Sequence, residues 1–351
     1  MGLPQIDITF STLAVSAIQR SQRGIVALIL RDDTAATEVY EYKTVTDVKA
    51  EDWEASNLKF IQHAFMGIPS KVIVVRGAST DIDYNDQLQL LATKKFNWLA
   101  IPGIDGLDTT DISTWVQTMR NNNNMVKAVL PNTAADSEAV VNFTTGGVVV
   151  GADTFTASDF TARIAGILAG LSLQRSATYF VLNEVEDIAE TADPDTAIDG
   201  GELILIKQDG KIKIARAVNS LTSTTVEKSA IFKKIKIVEG MDLVKTDIQT
   251  TFNDEYVGKV NNSYDNQVLF ITAVNAYLRG LEGDVLDPAF DNRVGVNVEA
   301  QRLAWEGIGT DTTEWDEQAV KEASFQSNVY LDGNLKFLDA MEDLTMDILL
   351  A

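Results

Sequence analysis

From Gly24 onward the chain alternates short apolar runs with stretches whose apolar residues return at helical spacing. A short continuous apolar run bounded by turn residues fits a strand buried on both faces, whereas a return at i, i+3 and i+4 marks one face of a helix. On that basis GIVALIL (24–30), SKVIVVRG (70–77), NWLAIPG (97–103) and MVKAVLPN (125–132) are strands. WEASNLKFIQHAFMG (53–67), DYNDQLQLLATKKF (83–96) and TTDISTWVQTMRN (109–121) are the helices between them. The second of these opens on acidic residues and closes on Lys94 and Lys95, as the helix dipole favours. Strands joined through helices imply right-handed crossovers and a mostly parallel, doubly wound sheet.

The pattern changes near residue 135. AVVNFTTGGVVVG (139–151) predicts a hairpin turning at Gly146 and Gly147, and TASDFTARIAGILAGL (156–171) predicts a helix capped by Thr156 or Ser158. TADPDTAIDGG (191–201) is acidic and turn-rich, the best internal boundary. Beyond it, GELILIKQDGKIKIARAVNSL (201–221) predicts a hairpin around Asp209-Gly210. Helices are expected over 228–255, 265–282, 297–307 and 315–323, and Asn121–Asn124 reads as a loop. The chain closes on a predicted strand pair, SNVYLDGNLKFL and DLTMDILL. The expected fold is mixed α/β: a doubly wound sheet in the N-terminal half, then an α+β domain. Its segments are an N-terminal arm (1–23), an α/β domain (24–195), a C-terminal domain (196–328) and a C-terminal arm (329–351).

Both ends show a period of two. Leu344, Met346 and Ile348 oppose Asp343, Thr345 and Asp347, the signature of a half-buried strand. Ile6, Ile8 and Phe10 oppose Asp7, Thr9 and Ser11, and Leu13 and Val15 continue the pattern after a slip near Thr12. A basic stretch, Arg20 to Gly24 with Arg23, follows the apolar residues, so no secretory signal is read there. Two arms, each with an apolar edge, call for partners.

Composition narrows the possibilities. A chain of 351 residues predicts about two domains, and its 45% hydrophobic content is enough for a sizeable core. No apolar run approaches the ~18 residues of a membrane span, so a soluble protein without direct membrane insertion is expected. The net charge of −22 makes nucleic acid a poor partner and sets like-charged copies against each other. Charge is uneven, however. Residues 207–245 carry nine basic and four acidic groups, whereas 310–351 carry ten acidic residues against two lysines. With no cysteine, disulfides and thiolate chemistry are excluded.

The search for catalysis returns little. His63 is the single histidine, on an apolar helix, and reads as a structural residue. No phosphate loop is present. The IPGIDGLDTTD stretch lies where α/β proteins bind ligands but lacks the third glycine, leaving a small-molecule enzyme using Gly103–Asp108 as the rival reading. Asp193, Asp195 and Asp199 depart from calcium-loop spacing. No catalytic residue, metal site or cofactor is expected.

The chain resembles the contractile tail sheath proteins of myophages and phage-tail-like bacteriocins in their compact form. The likeness is carried, in order along nearly the whole chain, by GLPQIDITF with QRSQRGIVALIL, by GELILIKQDGKIKIARAVNSL, and by MDLVKTDIQTTFNDEYVGKVNNSYDN. It continues through VNVEAQRLAWEGIG to VYLDGNLKFLDAMEDLTMDIL. The resemblance implies a structural subunit, not an enzyme, whose arms add strands to neighbouring copies around a tail tube. Implied partners are further copies in stacked hexameric rings, the tube protein, the baseplate and the tail terminator. Assembly in the bacterial cytoplasm and release in a particle are likewise implied. It places hinges at Arg20, Arg23 and Gly24 and near Ser327, within 324–328, and a tube-facing surface on Lys228, Lys233, Lys234 and Lys236. A tail tube subunit is a further alternative, disfavoured by the three N-terminal helices.

Overall fold

The structure, a computed structural model, describes residue 18 and residues 24–350. Compactness divides the chain at residue 247. One unit holds the main sheet and the C-terminal residues from Asp339, and the other runs from Asp247 to Leu338.

The first unit contains β1 (Ile25–Arg31), β2 (Val39–Tyr42), α1 (Ala55–Phe65), β3 (Lys71–Gly77), α2 (Asn85–Ala92), β4 (Trp98–Ala100), α3 (Thr109–Asn121) and β5 (Lys127–Pro131). It continues with β6 (Val140–Phe143), β7 (Val148–Val150), β8 (Asp153–Phe155), α4 (Ala157–Gly170), α5 (Pro194–Asp199), β9 (Glu202–Leu203), β10 (Leu205–Gln208) and β11 (Lys211–Ile214). The main sheet has seven strands in the order β2-β3-β1-β4-β5-β6-β9. All neighbours pair in parallel except β2, which runs antiparallel along β3. The winding reverses at β1, with β3 on one side and β4 on the other, which is the doubly wound arrangement expected.

The apolar runs explain the layering. Val26, Leu28 and Leu30 of β1 pack with Phe60, Ile61 and Ala64 of α1 and with Phe160 and Ile164 of α4. Ile25, Ala27 and Ile29 face Leu88 and Leu91 of α2 and Ile112 and Val116 of α3. Both faces are therefore dry. Where α1 meets α4 the backbones touch: a Cβ on Gly166 would collide with the carbonyl of Ala64, and one on Gly170 with that of Gly67. The Thr156 side chain accepts from Asp159 N and closes the predicted cap of α4 as a capping box.

Two expectations are corrected. The Gly146-Gly147 hairpin is displaced: β6 is fully buried and lies parallel to β5, and the tight hairpin is β7–β8, turning at Gly151 with φ +60°. A strand dry on both faces needs no alternation, so the adjacent glycines mislead. The turn-rich 191–201 stretch is no linker, because Asp193 caps α5 and the chain enters β9 of the main sheet directly. The Asp209-Gly210 hairpin forms as expected, with φ of +53° and +69° at the two turn residues.

From α6 (Ile235–Thr251) the chain passes through a π turn (Phe252–Tyr256) to α7 (Tyr264–Arg279), β12 (Arg293–Val296), α8 (Val298–Gly307), α9 (Glu317–Glu322) and β13 (Leu331–Asn334). Within the second unit, Tyr277 donates to Asp247 at 2.7 Å, and Trp305 stacks edge-on against Trp315 and Phe325. β13 pairs antiparallel with β12 rather than with residues 343–350, so the predicted terminal strand pair is not formed. The short Arg293–Val296 run, interrupted by Gly295, had hidden its true partner.

Candidate assembly interface

Residues 339–350 group with the main-sheet unit and form no helix, strand or turn. Their first part is held down by charge. The Glu342 side chain is 7% exposed, and its Oε1 accepts from the Thr178 hydroxyl at 2.6 Å and lies 3.0 Å from Ser176 Oγ. Lys234 Nζ stands 3.7 Å and Arg216 Nη1 4.0 Å from its other oxygen. Arg216 also donates to Asp343 at 2.6 Å, and that bond pushes the guanidinium pKa up from its ordinary value. Lys234 pairs in addition with Asp339.

These partners come from three separate places. Ser176 and Thr178 lie in the loop after α4, Arg216 follows β11, and Lys234 immediately precedes α6. Thr178 Oγ1 is itself fixed by accepting from Ala217 N at 3.0 Å. The result is a preformed receptor for a carboxylate, built from hydroxyls and cations, and charge-assisted bonds of this kind are the strong ones.

Beyond Asp343 the anchoring stops and the apolar alternation begins. Leu344, Met346 and Ile348 are 83%, 66% and 72% exposed, and Leu349 and Leu350 almost fully so. Burying each such side chain is worth roughly 1.5–3 kcal/mol. Aliphatic residues exposed in alternation along one segment form an apolar edge open to solvent. The sequence-predicted residues Leu344, Met346 and Ile348 are thus brought together on one exposed segment. Ile6, Ile8, Phe10, Leu13, Val15, Arg20 and Arg23 lie outside the described residues.

The lysines of the predicted tube-facing surface are spread over several segments. Lys233 sits in a 3-10 turn, Lys234 follows it, and only Lys236 belongs to α6. Lys228 pairs with Glu138 at 3.0 Å on the exposed 222–230 loop. Lys236 is partly buried, and this burial lowers its pKa against the opposing pull of Asp339 and Glu342. Of the hinge residues, Gly24 is buried at φ +82° with its carbonyl accepting from Ser70 N, and Ser327 lies in a turn whose flanking carbonyls, Gln326 and Asn328, both accept from Asn262.

In the Gly103–Asp108 loop Ile104 is buried and its carbonyl accepts from Ser158 of α4, whereas Gly103, Asp105, Gly106 and Leu107 are exposed. At the carboxyl end of β1, Asp32 is saturated by Thr34, Glu54 and Asn57; burial alone raises its pKa, and these bonds bring it below the ordinary value. Sequence reasoning missed Ser176, Thr178 and Glu342. The available signal was the opposition of the basic 207–245 segment and the acidic end, which the structure joins within one subunit.

Comparison with known proteins gives the family. The phage tail sheath protein central domain matches residues 77–220, and the phage tail sheath C-terminal domain matches 227–350. A tail sheath protein of Clostridium phage phiCD119 is 39% identical, the alignment covering 99% of each chain. The chain belongs to the phage tail sheath family. As a tail sheath protein it shares its fold with solved relatives of low identity. The helical sheath of the anti-feeding prophage in its contracted state superposes with a TM-score of 0.70 at 14% identity, over 99% of both chains. A sheath tail protein from Desulfitobacterium hafniense gives 0.68 at 18% identity, over 83% of this chain and 93% of that one. The mixed α/β sheath fold with its mostly parallel sheet is therefore as expected, and the chain is a structural subunit of a phage-type tail sheath.

Proposed function

We propose that this sheath subunit polymerises around a tail tube by lending its terminal arms to neighbouring copies as extra strands, and that the polymer shortens to drive the tube through a cell envelope. The carrying observation is the divided character of residues 339–350: an acidic root bound in a carboxylate receptor, then an exposed apolar stretch that pairs with no strand among the described residues. The root aims the arm, and main-chain pairing with a neighbour supplies adhesion. The arm meets a different surface on the next copy, so the contact is heterologous and extends into rings or a helical tube. A metastable extended lattice held by barriers stores the energy, and no catalytic step is required. Bending is assigned to residues 20–24 and to residues 324–328 around Ser327. Baseplate and terminator contacts and assembly in the bacterial cytoplasm belong to the same reading.

Electron microscopy of the purified protein tests it. The full chain is expected to form long hollow tubes, and deletion of residues 340–351 to leave a folded subunit that no longer polymerises. Normal tubes from the deletion variant would remove the arm from the mechanism. For the tube-facing surface, Lys233→Glu is the informative change, because Lys234 also holds the arm root. We expect weaker co-assembly with tube protein at an unchanged melting temperature; unaltered co-assembly would take this lysine out of the contact.

A further inference from the structure

The receptor that holds Glu342 is built without the arm. Thr178 Oγ1 accepts from Ala217 N at 3.0 Å, and Ser176 Oγ accepts from Thr178 N at 3.1 Å, so main-chain donors place both hydroxyls. The segment carrying Arg216 is tied to the one carrying Lys234 in the same way. Ile235 N donates to the Ala217 carbonyl at 3.2 Å, and Asn219 N to the Lys233 carbonyl at 3.0 Å. None of these bonds involves residues 339–350.

The ion pairs of the two cations run the other way. Among the described residues, those of Arg216 go to Glu342 and Asp343, and those of Lys234 to Asp339 and Glu342. Lys236 brings a third positive charge within electrostatic reach of Asp339 and Glu342. Lifting Glu342 away therefore leaves two placed hydroxyls without their acceptor and two cations short of a carboxylate, inside a framework that still stands. Hydroxyls and cations converging on one position are the chemistry of an oxyanion site. Arginine meets phosphate through paired N–H groups and lysine as a point charge. A phosphate ion has as many heavy atoms as the glutamate side chain it would replace, and a larger negative charge.

We propose that the Ser176, Thr178, Arg216 and Lys234 receptor is an oxyanion site in its own right, and that inorganic phosphate entering it displaces Glu342 and loosens the arm root. On a chain of net charge −22 this is a place where a small anion is welcome. The consequence for assembly rests on the arm-exchange reading; the binding itself does not.

Melting of the full chain carrying Glu342→Ala tests the site. A ligand of the folded state raises its stability, so phosphate is expected to raise the melting temperature of this variant more than sodium chloride of equal ionic strength does. Adding Arg216→Gln and Lys234→Gln should abolish that excess, as should Thr178→Val by a separate route. These variants also report the general stabilisation that phosphate gives any folded protein. No excess in Glu342→Ala, or an excess untouched by both sets of changes, overturns the proposal. In the natural chain the tethered carboxylate competes at a millimolar effective concentration, so phosphate at about 50 mM is the probe. The critical concentration for tube formation should then rise roughly threefold or more over that in matched sodium chloride. If Glu342→Ala assembles poorly while phosphate leaves the natural chain's tubes unchanged, displacement is overturned. If Glu342→Ala shows the phosphate excess but assembles like the natural chain, the oxyanion site stands and the arm root drops out of the proposed function.

Discussion

The His63 imidazole lies edge-on to Phe155 and Phe160, with ring centroids 4.8 and 5.8 Å away, and its Nδ1 is buried without a hydrogen-bond partner. Burial, reinforced by the Arg163 guanidinium, lowers its pKa from the ordinary 6.5. The unfolded chain therefore takes up a proton near pH 6.5 that the folded chain refuses. Stability is full above that value and falls as pH drops below it. Asp242 behaves differently. Burial raises its pKa, but Lys127 at 2.6 Å and a bidentate Arg120 at 2.8 Å outweigh burial and hold it below 3.8. Its contribution is thus retained down to the ordinary carboxylate range. Between pH 7 and 5 the histidine acts without Asp242, and His63→Leu should flatten the decline in melting temperature that the natural chain shows there. An equal decline in both, followed by calorimetry, would move the acid sensitivity elsewhere.

Among elements, the α1–α4 contact is the least forgiving, because backbone meets backbone at Gly67, Gly166 and Gly170. Gly170→Ala puts a methyl group into the Gly67 carbonyl, which no rotamer change relieves. Overpacking of this kind costs about 1–3 kcal/mol or more, to be read as a lower urea midpoint with an unchanged slope. A midpoint within error of the natural chain would mean the helices slide apart freely. How legible an element was depended on how its burial is patterned. α3 (Thr109–Asn121) was readable from one apolar face, and β1, β3 and β5 from dry runs between turns. β2 and β12 were not, since each is four residues long and largely half-exposed, without an apolar run. β9, at two residues, exists only because the sheet edge beside β6 is there to receive it. The carboxylate receptor was invisible for a related reason. The Ser176–Thr178 loop, Arg216 and Lys234 lie far from Glu342 in sequence, and only the fold gathers them around it.

At the scale of the whole molecule, a net charge of −22 opposes every encounter between copies, while the ion pairs at the arm root close within one subunit. On the proposed reading, contacts between copies rest on main-chain pairing and apolar burial, which salt hardly weakens. Repulsion between the bodies, by contrast, is long-ranged and screened, with a Debye length of about 30 Å at 0.01 M salt and about 10 Å at 0.1 M. The two tendencies predict opposite salt dependences, so one titration separates them. If arms made of backbone and aliphatic side chains hold the polymer, the critical concentration for tube formation should fall as sodium chloride rises from 0.01 to about 0.2 M, then level off as screening is completed. Arg216 and Lys234 give an internal control, because loosening the arm root by salt acts the other way and would first be felt at the high end. Sedimentation of tubes at each salt concentration measures the balance. A critical concentration that climbs steadily from the lowest salt would mean that exposed ion pairs between copies, not lent strands, carry the assembly.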